Sequence, residues 1–224
     1  MKGIFNLRPP LSRYSFAWNV GKVLKYRESL YPLHSLSMKF LTLKCTALIA
    51  LATAQRSQTL SVLDLKFVCC TSSSLIFRIN TLLKTTKPNR MNQTVTITSF
   101  HKPQICPVKY LKHHIHKTAN IRKSSKLFVS FKTYKAVTSS TIARWLKLIL
   151  NLSGIDTSKF KGHSYRSAFS SAAKMVGMSL NDILKTADWS SASTFRKFYY
   201  RDIDDNNKSN YINSVFNSTL QLGV

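Results

Sequence analysis

The stretch KGHSYRSAFSSAAKMVGMSLNDILKTADWSSASTFRKFYYR, residues 161–201, holds the side chains best equipped for chemistry. His163 and Arg166 are three apart, which puts them on one face of a helix, one turn apart. Arg166 offers a permanently charged planar fork that matches two oxygens of a phosphate. His163 can donate a further hydrogen bond or move a proton near neutral pH. Trp189 carries an indole N–H that donates and never accepts. Tyr199 and Tyr200 carry phenolic oxygens, which can act as covalent nucleophiles. A nucleophile, with donors aimed at the oxygens where negative charge builds up, is what attack on a phosphodiester requires. Singly the parts are weak. An H-x-x-R pair is also an ordinary polar helix face, a lone Trp is also core, and FYY is also packing. Their order in a very basic chain gives the set its weight.

The charge balance agrees. The 224 residues contain 34 Lys and Arg against 8 Asp and Glu, a net charge of +26. Between Asp64 and Asp156 no acidic residue interrupts sixteen Lys and Arg. Self-repulsion of that size loosens a compact fold unless a polyanion neutralises it. Nucleic acid does so, its phosphates binding Lys and Arg with release of counterions. The competing readings are a solvated basic surface, a ribosomal-type packing protein and an anionic membrane or other acidic partner. The shortage of carboxylates argues against a two-metal nuclease, and no Gly-rich phosphate loop is present. No cofactor and no metal are expected. Cys45, Cys69, Cys70 and Cys106 show no metal spacing and suit a reduced, intracellular setting. Cys69 and Cys70 lie in an apolar run and read as buried strand residues. HHIH at 113–116 has no second ligand group and reads as a solvated basic helix face.

These residues need elements to position them. At 44% hydrophobic and 11% aromatic, the bulk of the chain folds. MKGIFNLRPPLSRYSF lacks the continuous apolar core of a secretory signal, and RPP keeps it extended. A short helix follows from Trp18 to about Tyr31. FLTLKCTALIALATA at 40–54 is too short to span a bilayer and contains Lys44, so it reads as a buried central helix over 35–55. LDLKFVCC, SLIFRI and TVTITSF are β-branched or aromatic runs that predict a small antiparallel sheet. The last two flank a basic hairpin tip, NTLLKTTKPNRMNQ. VKYLKHHIHKTA returns to a helical period, and KLFVSF is a short strand or extended segment. SSTIARWLKLILNLSGI has Ser caps, apolar residues at 142, 145, 146, 149 and 150, and Gly154 past its end. Residues 163–200 read as three short helices broken near Gly177 and Trp189. Helices, a small sheet and more helices make an α+β domain.

As a set, these residues resemble the catalytic domain of tyrosine recombinases, the phage integrase group, and most closely the recombinases of DIRS-type retrotransposons. ATAQRSQTLSVLDL matches the first arginine box with Arg56. LLKTTKP matches the hairpin lysine with Lys84, Lys87 being the alternative. KGHSYRSA supplies His163 and Arg166, and ADWSSASTFRKFYYR supplies Trp189 and the tyrosine. Tyr199 lies ten residues after Trp189 and Tyr200 eleven. The family segment STFxKFYxR aligns Tyr199, and Tyr200 stays open. The resemblance implies a mainly helical integrase-like fold over 18–216, after an extended segment at 1–17 and before a tail at 217–224. It implies DNA strand breakage and rejoining through a 3′-phosphotyrosyl link, with no cofactor. Lys87, Arg90, Arg144 and Lys161 are then DNA contacts. The partners implied are double-stranded DNA and a homotetramer, with no membrane, and the location implied is the nucleus. Three departures matter. Thr59 stands where many relatives have an acidic residue, and Asp188 where Gly is common. Only a few dozen residues precede the catalytic core, which implies a piece separated from an N-terminal clamp domain. These leave open an alternative, an inactive DNA-binding remnant of a mobile-element recombinase.

Overall fold

The structure is a computed structural model that describes residues 14–83, 86, 93–189 and 191–204. Its centre is the apolar helix α2 (Met38–Thr53), preceded by α1 (Val20–Ser29). Ser37 caps α2 by accepting from the Phe40 amide at 3.4 Å. The helix is apolar on nearly every face, so it is buried all round from Leu41 to Leu51. Even Lys44 is fully buried, its Nζ donating at 2.8 Å to the Leu30 carbonyl and at 2.8 Å to the Tyr110 hydroxyl. Around α2 pack α4 (Pro107–Thr118), α5 (Ser139–Leu152) and α6 (Ser164–Met175). The short α3 (Ser57–Val62) leads from the end of α2 against α5.

In α5 the apolar stripe Ile142, Trp145, Leu146, Ile149 and Leu150 is buried, as its spacing predicts. Thr138 caps the start, and Gly154 takes a left-handed φ of 73° past the end. Gly162 lies so close to α5 that a Cβ there would sit 2.6 Å from the Ala143 carbonyl oxygen. Only glycine lets the chain just before His163 rest on that backbone.

The sheet has the order β2 (Val68–Cys70), β3 (Ser74–Arg78), β4 (Thr94–Thr98), all antiparallel. Leu75, Phe77, Val95 and Ile97 alternate into the core. Cys69 and Cys70 do not: both are exposed. They sit on a three-residue edge strand, and the inner face is filled by β3 and β4. An apolar run announces a strand but not which side of a sheet edge it ends on. Residues 126–131 form no strand of their own but make isolated bridges, from Lys126 to Asp64 and from Val129 to Ala136, with a bend at Leu127 and a turn beginning at Phe131.

A second, smaller core joins α6 to α7 (Leu180–Thr186) and α8 (Ala192–Phe198) through Ala173, Ile183, Ala187, Trp189 and Phe195. The two ends of the described chain meet. β1 (Ala17–Trp18) pairs in parallel with β5 (Ile203–Asp204).

The histidine run also departs from the expectation. α4 forms, but His114 faces inward, fully buried, with Nε2 3.1 Å from the Thr42 hydroxyl. Burial, and then the charges of Arg122 and His113, push its pKa down to about 4. An unfolded histidine titrates near 6.5, so the unfolded chain takes up this proton first as pH falls. The His114 contribution is complete above about pH 6.5 and is lost as pH falls toward about 4, by at most about 1.4 kcal/mol per pH unit. Urea unfolding at pH 7, 6, 5 and 4 will show this loss. His114→Gln will be less stable at pH 7 but will show a flatter decline; an equally steep decline in the variant refutes the assignment.

Candidate active site

Arg166, in the first turn of α6, is the centre of the site and is only 3% exposed. Its Nη1 donates to the Ala54 carbonyl at 2.6 Å and its Nη2 to the Ala187 carbonyl at 3.0 Å. Both carbonyls come from helix ends. Ala54 closes α2 in the left-handed conformation, φ 48°, and Ala187 follows α7. Gln55 reinforces the same junction, its Nε2 donating to the Thr186 carbonyl at 3.1 Å. One residue further, Arg56 is the half-buried N-cap residue of α3. Arg56 is near enough for its charge to act on Arg166. Burial first, and then Arg56, lower the Arg166 pKa to about 10, while Tyr199 and Asp188 pull it back up. The first arginine box and the H-x-x-R box are thus brought together across more than a hundred residues of sequence.

Aromatic rings lie against the guanidinium. The Arg166 guanidinium carbon lies 4.8 Å from the Trp189 ring centroid and 5.6 Å from that of Tyr199. The two rings are 4.5 Å apart. Trp189 is 5% exposed and packs in the second core, yet its indole Nε1 is buried without an acceptor. Arg166 Nε is buried without one as well. Unmet buried donors are costly, and these two belong to side chains stacked on each other.

The structure separates the two tyrosines. Tyr199 is half-buried against Trp189, and its carbonyl accepts from Ser167 Oγ at 2.8 Å and Ser171 Oγ at 3.1 Å. Tyr200 is 43% exposed, with its ring 5.8 Å from Phe195. His163 is the N-cap residue of α6, with Nε2 2.7 Å from the Tyr14 hydroxyl. Asp188, where the family often has Gly, adopts φ 54°, a left-handed conformation that Gly takes freely and Asp tolerates better than most residues. Its carboxylate accepts from Gln93 Nε2 at 3.2 Å.

Arg144 and Lys161 are exposed and flank the close approach of Gly162 to Ala143. Lys84, Lys87 and Arg90 lie outside the described residues. Among the described residues no cluster of His, Cys, Asp or Glu is arranged to hold a metal ion, and no helix is long and apolar enough to cross a membrane. Sequence reasoning missed Tyr14, Gln55, Ser167, Ser171 and Arg201. Ser167 and Ser171 are four apart in α6 and so share a face, but that spacing is common in helices. No spacing in the sequence singles out the others.

A profile described as the phage integrase family matches residues 28–206. No curated protein matches the chain. Among solved structures, XerA recombinase superposes with a TM-score of 0.62 at 18% identity, covering 95% of this chain and 67% of that one. XerH site-specific recombinase, bound to palindromic difH substrate in a post-cleavage complex, gives 0.60 at 18%, covering 81% and 48%. A lambda integrase (75–356) dimer bound to a COC′ core site gives 0.54 at 15%, covering 93% and 66%. The chain spans about half the length of the XerH chains it matches. At these identities the likeness is one of fold.

Because the guanidinium bridges two carbonyls, Arg166 also holds the fold. Arg166→Lys keeps the charge but cannot span both acceptors. We expect it to lower unfolding free energy by about 1–3 kcal/mol in urea at neutral pH. Unchanged stability would remove this bridging role.

Proposed function

The chain belongs to the phage integrase family, and from that premise we propose that it breaks and rejoins DNA strands through a covalent 3′-phosphotyrosyl intermediate. The observation that carries this reading is the pair of unmet buried donors, Arg166 Nε and Trp189 Nε1, beside the Tyr199 ring. A backbone phosphate supplies acceptor oxygens of the right charge. Arg56 adds a second cation next to Arg166. In this reading Tyr199 Oη attacks phosphorus and forms a P–O bond, while the bond to the 5′-oxygen of the next nucleotide breaks. Arg56, Arg166, His163 and Trp189 hold the non-bridging oxygens as negative charge accumulates. His163 takes the tyrosine proton, and Lys84 gives one to the leaving 5′-oxygen. A strand from a partner duplex then attacks the phosphotyrosine and restores a phosphodiester. The link conserves the energy of the cleaved bond, so the exchange needs no external energy source.

Exposed Arg144 and Lys161, with Lys87 and Arg90, act as phosphate contacts, in keeping with the net charge of +26. A homotetramer on two duplexes is part of the proposal, since strand exchange uses four cleavage sites. It is supported by the fold likeness to a lambda integrase tetramer bound to a Holliday junction, at a TM-score of 0.51. The segment STFRKFYYR supports a mobile-element origin, closest to DIRS-type retrotransposon recombinases, and with it a nuclear location. The alternative, a DNA-binding remnant without chemistry, draws on Asp188, whose carboxylate lies close enough to act on Arg166.

The test uses a pool of nicked duplexes with randomised centres, so that cleavage traps the enzyme. A protein–DNA adduct on a denaturing gel is expected. It will vanish in Tyr199→Phe and persist within a few-fold in Tyr200→Phe. The reverse pattern makes Tyr200 the nucleophile. Salt-sensitive binding with no adduct establishes the inactive remnant instead.

A further inference from the structure

His163 is held by a residue far away in sequence. The Tyr14 hydroxyl lies 2.7 Å from His163 Nε2, and the two rings stack with centroids 5.2 Å apart at 33°. Phe160 packs on the other partner, its ring 5.5 Å from that of Tyr14. Tyr14 is itself fixed from the nucleophile's side. Arg201, two residues after Tyr199, donates from Nε to the Tyr14 carbonyl at 2.8 Å, and its amide donates to Ser171 Oγ at 3.0 Å. Ser171 Oγ in turn donates to the Tyr199 carbonyl at 3.1 Å. Just beyond, the Ala17 amide donates to the Asp202 carbonyl at 2.7 Å, and Ala17 pairs with Ile203 across β1 and β5. The imidazole, Tyr14 and the tyrosine-bearing segment therefore form one connected unit.

We propose that Tyr14 is a positioning residue that fixes the orientation and tautomer of His163. A phenol is the more acidic partner, so its O–H donates to an unprotonated Nε2. Which imidazole nitrogen carries the proton is set by the bond that the other makes. Donation from Tyr14 to Nε2 leaves the proton on Nδ1 and makes Nε2 the ring nitrogen that takes the Tyr199 proton, by exchanging the Tyr14 hydroxyl for that of Tyr199. Through Arg201, the same contact makes the histidine's orientation depend on whether the Tyr199 segment is docked. The inference rests on the recombinase reading for its catalytic consequence, but not for the tautomer.

Two measurements separate these. First, nitrogen-15 spectra of the imidazole in the free protein are expected to show His163 as the Nδ1–H tautomer, and Tyr14→Phe to return it to Nε2–H. A wild-type ring already Nε2–H, or a tautomer unmoved by Tyr14→Phe, overturns the proposal. Second, the rate of adduct formation on the nicked duplex pool is expected to fall at least tenfold in Tyr14→Phe. DNA affinity and melting temperature should stay near wild type, because the phenyl ring keeps its packing. A Tyr14→Phe variant as fast as wild type, with only Tyr14→Ala impaired, would reduce Tyr14 to packing and overturn it. If wild type forms no adduct, the recombinase reading fails, and the tautomer measurement alone decides Tyr14.

Discussion

One buried guanidinium ties this molecule together. Arg166 is anchored by two backbone carbonyls, Ala54 and Ala187, one from the end of the central helix and one from the second core. A carboxylate would hold it more strongly but would also neutralise it and compete with any incoming anion. Carbonyl dipoles fix the geometry and leave the charge in place. That choice leaves Arg166 charged beside Arg56, whose own charge, after burial, lowers the Arg166 pKa. The like charges repel, a cost that any bound polyanion would relieve. Asp188 is a partial exception, since its charge does reach Arg166, but its carboxylate is turned to Gln93.

The tyrosine segment follows the same logic. It is stitched to α6 through main-chain groups: the Tyr199 carbonyl to Ser167 and Ser171, and the Arg201 amide to Ser171. Serine hydroxyls in a helix usually bond back to the preceding turn, as Ser170 does to the Arg166 carbonyl at 2.6 Å. Ser167 and Ser171 instead serve a neighbour. Backbone anchoring of the Tyr199 carbonyl places its ring against Trp189 and beside the Arg166 guanidinium.

Much of this was legible in the chain. The stripe in α5, the all-apolar α2, the three strands and the breaks near Gly177 and Trp189 follow from periodicity and turn residues, because burial imposes those periods. The ordered set Arg56, Lys84, His163, Arg166, Trp189 and Tyr199 was legible as chemistry; of these, the Trp189 and Tyr199 rings lie against the Arg166 guanidinium, and Arg56 is near enough for its charge to act on it. What was not legible depends on packing. Whether His114 or its neighbours faced inward turned on the rotation of α4 against Thr42. The exposure of Cys69 and Cys70 turned on β2 being an edge. Tyr14 belonged to a stretch that reads as extended, and nothing local predicts a partner 149 positions away. Carbonyl anchors such as Ala54 carry no side-chain signature at all.

Trp189 shows why core and site need not be alternatives. Its ring lies 5.4 Å from Phe195, 4.5 Å from Tyr199 and 4.8 Å from the Arg166 guanidinium, so nearly all of its surface is spent on packing. One edge, the indole N–H, is left without an acceptor. A histidine in this position would present a donor too, but with less apolar area to fill the second core and with a charge that depends on pH. Tryptophan supplies a donor that never titrates while filling the second core. The smaller core is thus built around Trp189, and the same contacts that stabilise α7 and α8 hold its indole N–H beside the Arg166 guanidinium.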